Sequence, residues 1–508
     1  MDKIVTMMKF MLSFKGVCIV IVSLCVWVLF QQFRKRRKYI KILPSQVIGL
    51  IQVLGLRKYP EIKLPPTAVV WLFTTAMFHL FKKETLFAVW LGFTPFINLN
   101  KPEAVEEVLS GTKANEKSWI YDFVHCWLGT GLLTSYGEKW KSRRKLLTPA
   151  FHFEILKDFL PVINEKSMLL VKIFEKEVYK DYTSILPPIT LCSLDIICET
   201  TLGINLNCQE NKDSEYVQAV KNVSDELTKR ITSVISWYDF TFFLTKGRSI
   251  RKDLTLLHSF TMSVIQERKK DMLRGEIEGR DRKRKPLMDL LLQHHIETKE
   301  LTEKDIREEV DTFAFEGHDT TSLAMTWALY FIGLYKDVQA KIHEELDQIF
   351  GDDKERPVTA EDLKYLKYLE CVLKESLRLN PSVPVIGRKA DKDMAICGYP
   401  IPKGASLIIC PYMMHRNEEF FPNPEVFDPD RFTPENSAHR HPYAYIPFSA
   451  GSRNCIGQRF AMIEEKIVVA NILRNYSLES LDPRDKVLST LELILRPLEE
   501  VRIKLRRR

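Results

Sequence analysis

Apolar residues are distributed in three ways along this chain. From Gly16 to Phe30 they are continuous apart from Ser23, and tolerating a few polar positions extends the run from Phe10 to Phe33. As one helix, a run of that length matches the hydrocarbon thickness of a bilayer. No small-residue cleavage site follows it, so a retained transmembrane anchor is expected, with a cleaved leader as the alternative. A second stretch, Thr67 to Phe81, follows Pro65 and Pro66 and is too short to span, which places it in the membrane interface or against a core. Beyond it the pattern becomes periodic. Phe87–Leu91 and Pro95–Leu99 read as short strands joined at Gly92, and Pro102–Leu109 as a helix. From Glu138 onwards, apolar residues recur at three- and four-residue spacing, as in CSLDIICETTLG and LHSFTMSVIQERKK, the period of amphipathic helices. Gly387 to Pro447, rich in proline and aromatics, reads as short strands and an ordered meander. The expected fold is mainly α with a small β component. It comprises an anchor over 1–33, a basic and proline-containing linker over 34–66, and a single large domain over 67–508.

Composition narrows this picture. The 508 residues are 45% apolar, without internal repeats or a linker-rich stretch inside the large domain. The ten cysteines include no Cys-x-x-Cys pair and no zinc-like spacing, the pattern of reduced thiols in a cytosol-facing protein. The net charge of +8 is concentrated in Arg34 to Lys38, Arg280 to Lys285 and Lys504 to Arg508. These runs lack interleaved aromatics, so membrane headgroups and solvent suit them and nucleic acid does not. The first run, directly after the anchor, marks the cytoplasmic side.

Two strings carry candidate chemistry. Pro447 to Ala461, PFSAGSRNCIGQRFA, opens the apolar helical run GQRFAMIEEKIVVANILRNY. A helix N-terminus presents unpaired N–H groups and partial positive charge. Cys455 is therefore expected as a thiolate of lowered pKa, with Gly451 and Gly457 bringing loop amides near sulfur. The second string, EVDTFAFEGHDTT, lies in a long helix expected over Glu308–Leu334 and interrupted by Gly317. Glu316 and Thr320, four apart, share a helical face. A carboxylate and a hydroxyl on an apolar face cost free energy unless each has a partner. A helical kink satisfied by back-bonding is the plainer alternative for Asp319-Thr320-Thr321.

The cysteine loop resembles the haem-binding loop of the cytochromes P450, Phe-x-x-Gly-x-Arg-x-Cys-x-Gly, matched at Phe448, Gly451, Arg453, Cys455 and Gly457. The helical string resembles the oxygen-binding groove of family four of that superfamily, with Ala314 where methionine is common. The resemblance implies the P450 fold and a haem b cofactor, protoporphyrin IX iron, with Cys455 as the axial metal ligand. It implies Thr320 and Asp319 as the catalytic pair that binds dioxygen and delivers protons. It makes Glu316 a candidate for an ester to a haem methyl group, against a hydrogen-bonded or protonated glutamate. Trp140 and Arg144, matching Trp-x-x-x-Arg, together with Arg388 and Arg453, would hold the haem propionates. By spacing alone, a Trp/Arg pair is more often a stacked surface contact. Glu375 and Arg378 match Glu-x-x-Arg and, with Arg431 in FDPDRF, would be structural, locking the meander behind the cysteine loop.

Carried over as a whole, the resemblance implies a membrane-bound haem-thiolate monooxygenase of the endoplasmic reticulum, its catalytic domain on the cytoplasmic face. It would insert one oxygen atom of O2 into a C–H bond of a lipophilic substrate, a fatty acid or related long-chain lipid attacked at or near its end. The sequence contains no nicotinamide or flavin glycine fingerprint. Electrons would therefore come from NADPH through a partner NADPH-cytochrome reductase, with cytochrome b5 as a second donor. Lys139, Lys141, Arg143 and Lys145 are a candidate docking face for an acidic reductase. Two other readings stay open: a haem-thiolate peroxide isomerase or dehydratase, which the acid-threonine pair disfavours, and a non-enzymatic haem-binding carrier or sensor. The segments Thr112 to Val124 and Tyr216 to Phe243, which would set specificity, show no charge pattern that maps to one ligand.

Overall fold

The computed structural model describes residues 14–48, 64–91, 93–111, 114–211, 214–274 and 286–508. The joint at Gly92, the basic run 280–285 and the first residues of the expected anchor lie outside that set. The longer helices are α1 (Phe14–Ile40), α2 (Pro66–Leu80), α3 (Pro102–Leu109), α4 (Gly137–Leu147), α5 (Leu160–Glu177), α6 (Leu186–Ile197), α7 (Glu215–Thr232), α8 (Asp239–Leu273), α9 (Leu287–Thr298), α10 (Glu303–Leu334), α11 (Lys336–Phe350), α12 (Lys367–Leu379) and α13 (Gln458–Asn475). A five-stranded sheet contains β1 (Ser45–Ile48), β2 (Leu86–Leu91), β3 (Thr94–Leu99), β5 (Ile386–Lys389) and β8 (Ser406–Ile409), in the order β1-β2-β3-β8-β5. The smaller sheets are β4 (Thr183–Ser184) with β9 (Tyr476–Ser480) and β12 (Arg502–Arg507), β6 (Met394–Ile396) with β7 (Tyr399–Ile401), and the hairpin β10 (Ser489–Leu491) with β11 (Leu495–Pro497). The mainly α architecture with a small β component is as expected.

The central helix α10 begins a full turn earlier than the apolar pattern suggests. Thr302 and Asp305 form a capping box in which Thr302 Oγ1 accepts from the Asp305 N–H at 3.1 Å and the Asp305 carboxylate accepts from the Thr302 N–H at 3.0 Å. Its first turn is charged, so periodicity alone hides it. Nor does Gly317 interrupt the helix. A Cβ there would lie 2.5 Å from the Ile197 side chain, so this glycine serves close passage of α6 across α10 rather than a break.

The N-terminal region differs from expectation in one respect. β1, inside the expected linker, pairs parallel with β2, Ser45 opposite Ala88, and so belongs to the main sheet. Among the described residues no helix is long and apolar enough to cross a membrane. The expected span starts at Phe10, outside them. What is described of α1 exposes Val22, Trp27, Leu29, Phe30 and Phe33, and the chain then tucks Tyr39 and Leu43 into the core beneath the sheet. Helix α2 packs against the core, one of its two anticipated environments. Ala68, Trp71 and Phe78 are buried, with Trp71 edge-on to Tyr412 at 4.9 Å, while Leu72 and Leu80 remain exposed.

Candidate active site

α10, the loop ahead of α13, the segment from Lys117 to Val124 and the β5 strand enclose a cavity of about 410 Å3. Most of its wall is apolar, including Ile120, Val124, Phe313, Phe315 and Ile386. Glu316 and Thr320 line it together, as their spacing predicts, and Cys455 faces them from the loop.

The loop that carries Cys455 is set by backbone contacts. Gly451 has φ +72°, and a Cβ on it would lie 1.8 Å from the carbonyl oxygen of Leu109 at the end of α3. The Cys455 N–H donates to Phe448 O at 2.9 Å. Arg144 on α4 donates to Asn454 O at 2.9 Å and to Asn454 Oδ1 at 2.6 Å, tying the loop to α4. Cys455 is exposed to the cavity, yet crowding by protein atoms dominates its titration. Burial pushes its thiol up to about 11, while the Gly457 N–H, Arg144 and Lys117 oppose the shift. The expectation of a thiol lowered by the helix N-terminus and loop amides is therefore corrected: in the chain by itself desolvation outweighs them.

Lys117, Arg144 and Arg453 line the cavity, Arg388 lies beside Lys117 and Arg453, and among the described residues none of the four has an ion-pair partner. Arg388 and Arg453 are 2% and 7% exposed, and the Nη2 of the first and the Nε of the second are buried without a hydrogen-bond partner. Burial, with Arg388 and Arg453 beside it, holds the Lys117 ammonium well below the usual lysine range. Such a cluster costs free energy until anions occupy it. Two propionates beside a thiolate-ligated iron meet that requirement, so the residues present fit a haem. Trp140 is buried rather than a surface contact, with the Arg453 guanidinium over its ring at 4.5 Å. Lys117, absent from the sequence-based set, sits in KANEKSWI with nothing in its pattern to distinguish it from a solvated lysine.

On α10 the plain alternative holds for the threonine hydroxyls. Thr320 Oγ1 donates to Glu316 O and Thr321 Oγ1 to Gly317 O, each at 2.8 Å. Ser382 Oγ donates to Thr320 O at 2.7 Å, a second link that holds this turn. Asp319 is buried off the cavity wall, with both carboxylate oxygens on Arg496 Nη2 at 2.5 and 2.7 Å. Arg496 also meets Glu492, a cavity residue, at 3.0 Å. A basic residue inside the apolar run ILRPL was the available signal for this partner. Burial pushes the Glu316 carboxyl up to about 7, with Lys117 opposing and Asp319 adding to the shift.

Glu375 and Arg378 are both 0% exposed and paired bidentately at 2.7 and 2.8 Å, unlike the usual solvated pair. Arg431 Nε lies 3.6 Å from Glu375, and Glu375 also accepts the Asp428 N–H at 2.8 Å. Arg378 donates to the carbonyls of His415 and Val426, clamping the meander. The docking face on α4 is reduced by internal pairing. Arg143 is buried against Asp305 at 2.7 Å, and Lys139 pairs with Glu308 at 3.0 Å, because the charged first turns of α10 face α4. Only Lys141 and Lys145 of the four stay exposed.

Beneath Thr321, Ser193 donates to Glu464 at 2.5 Å, and burial pushes the Glu464 carboxyl from the ordinary 4.5 up to about 8. A raised acid binds its proton more tightly in the folded state, so its contribution to stability falls as pH rises from about 4.5 towards 8. Glu464→Gln keeps the shape and the acceptor and removes the titration. Its urea midpoint is expected to gain on wild type across that window, and a constant difference would contradict the assignment.

The comparisons with known proteins agree with this geometry. The family described as "Cytochrome P450" matches residues 71–505. Cytochrome P450 4V2 of Rattus norvegicus is 49% identical over 439 residues, 84% of this chain and 83% of its own length. The Homo sapiens protein of the same name is 48% identical over 438 residues, with the same shares of each chain. Cytochrome P450 4c3 of Drosophila melanogaster is 46% identical over 432 residues, 82% of this chain and 81% of its own. A cysteine loop facing an acid-threonine wall, a cationic cluster without ion-pair partners among the described residues and this degree of likeness have one explanation: the chain belongs to the cytochrome P450 family, among its family-four members, and is a haem-dependent oxidoreductase supplied with NADPH electrons through a reductase.

Proposed function

We propose that this protein is a membrane-associated monooxygenase that hydroxylates a fatty acid or related long-chain lipid at or near its end. In this reading it works on the cytoplasmic face of the endoplasmic reticulum, with an NADPH-cytochrome reductase as partner and cytochrome b5 as a second donor. The observation that carries the reading is a mostly apolar cavity lined by Glu316 and Thr320 from α10 and by Cys455 from the loop. The haem supplies reductive activation of dioxygen, one atom going into the C–H bond and the other to water. The chain supplies the rest. Phe313, Phe315, Ile120 and Val124 exclude water and bind alkyl chain. Thr320 brings a hydroxyl to that space, its Oγ1 donating to Glu316 O while Ser382 donates to its carbonyl. Asp319, gripped by Arg496, lies next in sequence and lets a proton pass to this turn when the ion pair opens. Lys117, Arg144, Arg388 and Arg453, with Trp140, bind the propionates.

Glu316 is the candidate for an ester to the cofactor. Its raised pKa keeps a protonated population near neutral pH, and its place on the wall fits a bond that fixes the cofactor's tilt. A fixed, narrow approach matters because a terminal methyl C–H is harder to break than its internal neighbours, so the easier sites have to be excluded by geometry. Membrane access is supported by the exposed apolar residues of α1 and α2. In Glu316→Gln, haem is expected to extract freely from acid-denatured protein while wild type retains it, as read by mass analysis. Cys455→Ser is expected to remove the Soret shift of the reduced, carbon monoxide-treated protein and all lipid hydroxylation by the reductase-reconstituted enzyme. A panel of lipids assayed with wild type tests the substrate class, and oxygen consumption without lipid turnover would count against it.

A further inference from the structure

A second pocket, far in sequence from the cysteine loop, opens where α1 meets the main sheet. It has a volume of about 200 Å3, room for roughly six waters. Gln32, Lys35 and Arg36 enter it from α1 at positions i, i+3 and i+4, one helical face, and Lys403 enters from the turn after β7. Trp90 on β2 forms its back wall. That tryptophan is 1% exposed, and its indole N–H is buried without a hydrogen-bond partner among the described residues. The Arg36 guanidinium stands over the Phe93 ring at 5.3 Å, and Lys35 Nζ reaches the Lys403 carbonyl at 3.5 Å. Neither Lys35 nor Lys403 has an ion pair among the described residues. The nearest carboxylate on that turn, Asp393, accepts the Lys403 backbone N–H at 2.6 Å. Among the described residues no carboxylate lines the pocket.

Three cations and an amide line one small space backed by a buried indole whose N–H has no partner among the described residues, and every group is a donor or carries one. We propose that this pocket binds the phosphate group of an anionic membrane lipid. Phosphate offers several acceptor oxygens and negative charge, the complement of an Arg, two Lys and an indole N–H. A lipid is the favoured source because of position. The exposed apolar residues of α1 end at Phe33, and Lys35 follows at 1.5 Å of helix rise per residue, so the pocket sits at headgroup depth when that apolar face is in the membrane. Held there, the lipid fixes α1 against the sheet that carries β3, β8 and β5, the last of which lines the catalytic cavity.

The test is amine footprinting of the full-length protein. Acylation of Lys35 and Lys403 is measured by peptide mass spectrometry in phosphatidylcholine vesicles, in phosphatidylcholine–phosphatidylserine vesicles, and in detergent with inorganic phosphate. Lys41, exposed just beyond α1 and outside the pocket, is the reference. Severalfold protection of Lys35 and Lys403 relative to Lys41 on adding phosphatidylserine is expected. Protection by inorganic phosphate as well supports the phosphate chemistry in the absence of any membrane. Protection of all three lysines alike, or of none, overturns the site, because general surface attraction would not single out the pocket. Trp90→Phe keeps an aromatic ring at the pocket but removes the N–H together with the pyrrole part of the indole. It is expected to weaken the protection, and undiminished protection in that variant overturns the pocket as described.

Discussion

Replacing Glu375 with alanine is expected to cost the protein about 3–5 kcal/mol, the usual result of leaving one member of a buried ion pair without its partner. Folded domains have only about 5–15 kcal/mol in total, so the variant should unfold at much lower urea concentration and lose haem on purification. The size follows from the surroundings. Glu375 and Arg378 are both fully buried, and Glu375 also holds the Asp428 N–H and faces Arg431. Burial raises the Glu375 carboxyl despite Arg378, which shows how much desolvation the pair already bears. Arg378 links α12 to the carbonyls of His415 and Val426, so its release loosens the meander that leads to Pro447 and the cysteine loop. A urea midpoint within error of wild type, with full haem content, would refute this account.

Gly451→Ala should be nearly as damaging through a different mechanism. The residue adopts φ +72°, which costs a non-glycine residue about 1–2 kcal/mol. The heavier penalty is steric: the new Cβ would sit 1.8 Å from the Leu109 carbonyl oxygen and must move by more than an ångström to reach even 3.0 Å. The obstacle is backbone at the end of α3, so no rotamer change relieves it. The loop has to shift, and Cys455 shifts with it. A displacement of that size at a reacting centre typically costs about 100-fold in rate. The expected readout is a diminished carbon monoxide difference spectrum and strongly reduced turnover. Gly457 offers the control, since a Cβ there meets nothing closer than the Cys455 sulfur at 3.9 Å. Its alanine variant should retain far more haem.

Much of this protein is legible in its sequence, for identifiable reasons. Helical period, proline at the start of α3, and the short, largely apolar runs of β2 and β3 are local properties, so those elements sit where the pattern put them. The cysteine loop and the EVDTFAFEGHDTT helix were readable because their chemistry is compressed into single strings. Glu316 and Thr320 reach the same wall because a helix brings residues four apart to one side.

What the string could not decide is which distant groups meet. Lys139 and Arg143 look like members of a solvent-facing basic stripe, yet α10 brings Asp305, Glu308 and Glu309 against them. Asp319 was read as half of an acid-threonine pair, and a hairpin 177 residues away supplies Arg496 to bind it. The thiol of Cys455 was expected to be acidic from its helix-start position, and packing around it proved the stronger influence. Sequence thus determined the elements and the identity of the chemical groups, because propensity, period and motif act over a few neighbouring residues. Burial and pairing were decided only by the tertiary structure, because desolvation and Coulomb energy depend on distances between segments that the order of residues does not contain.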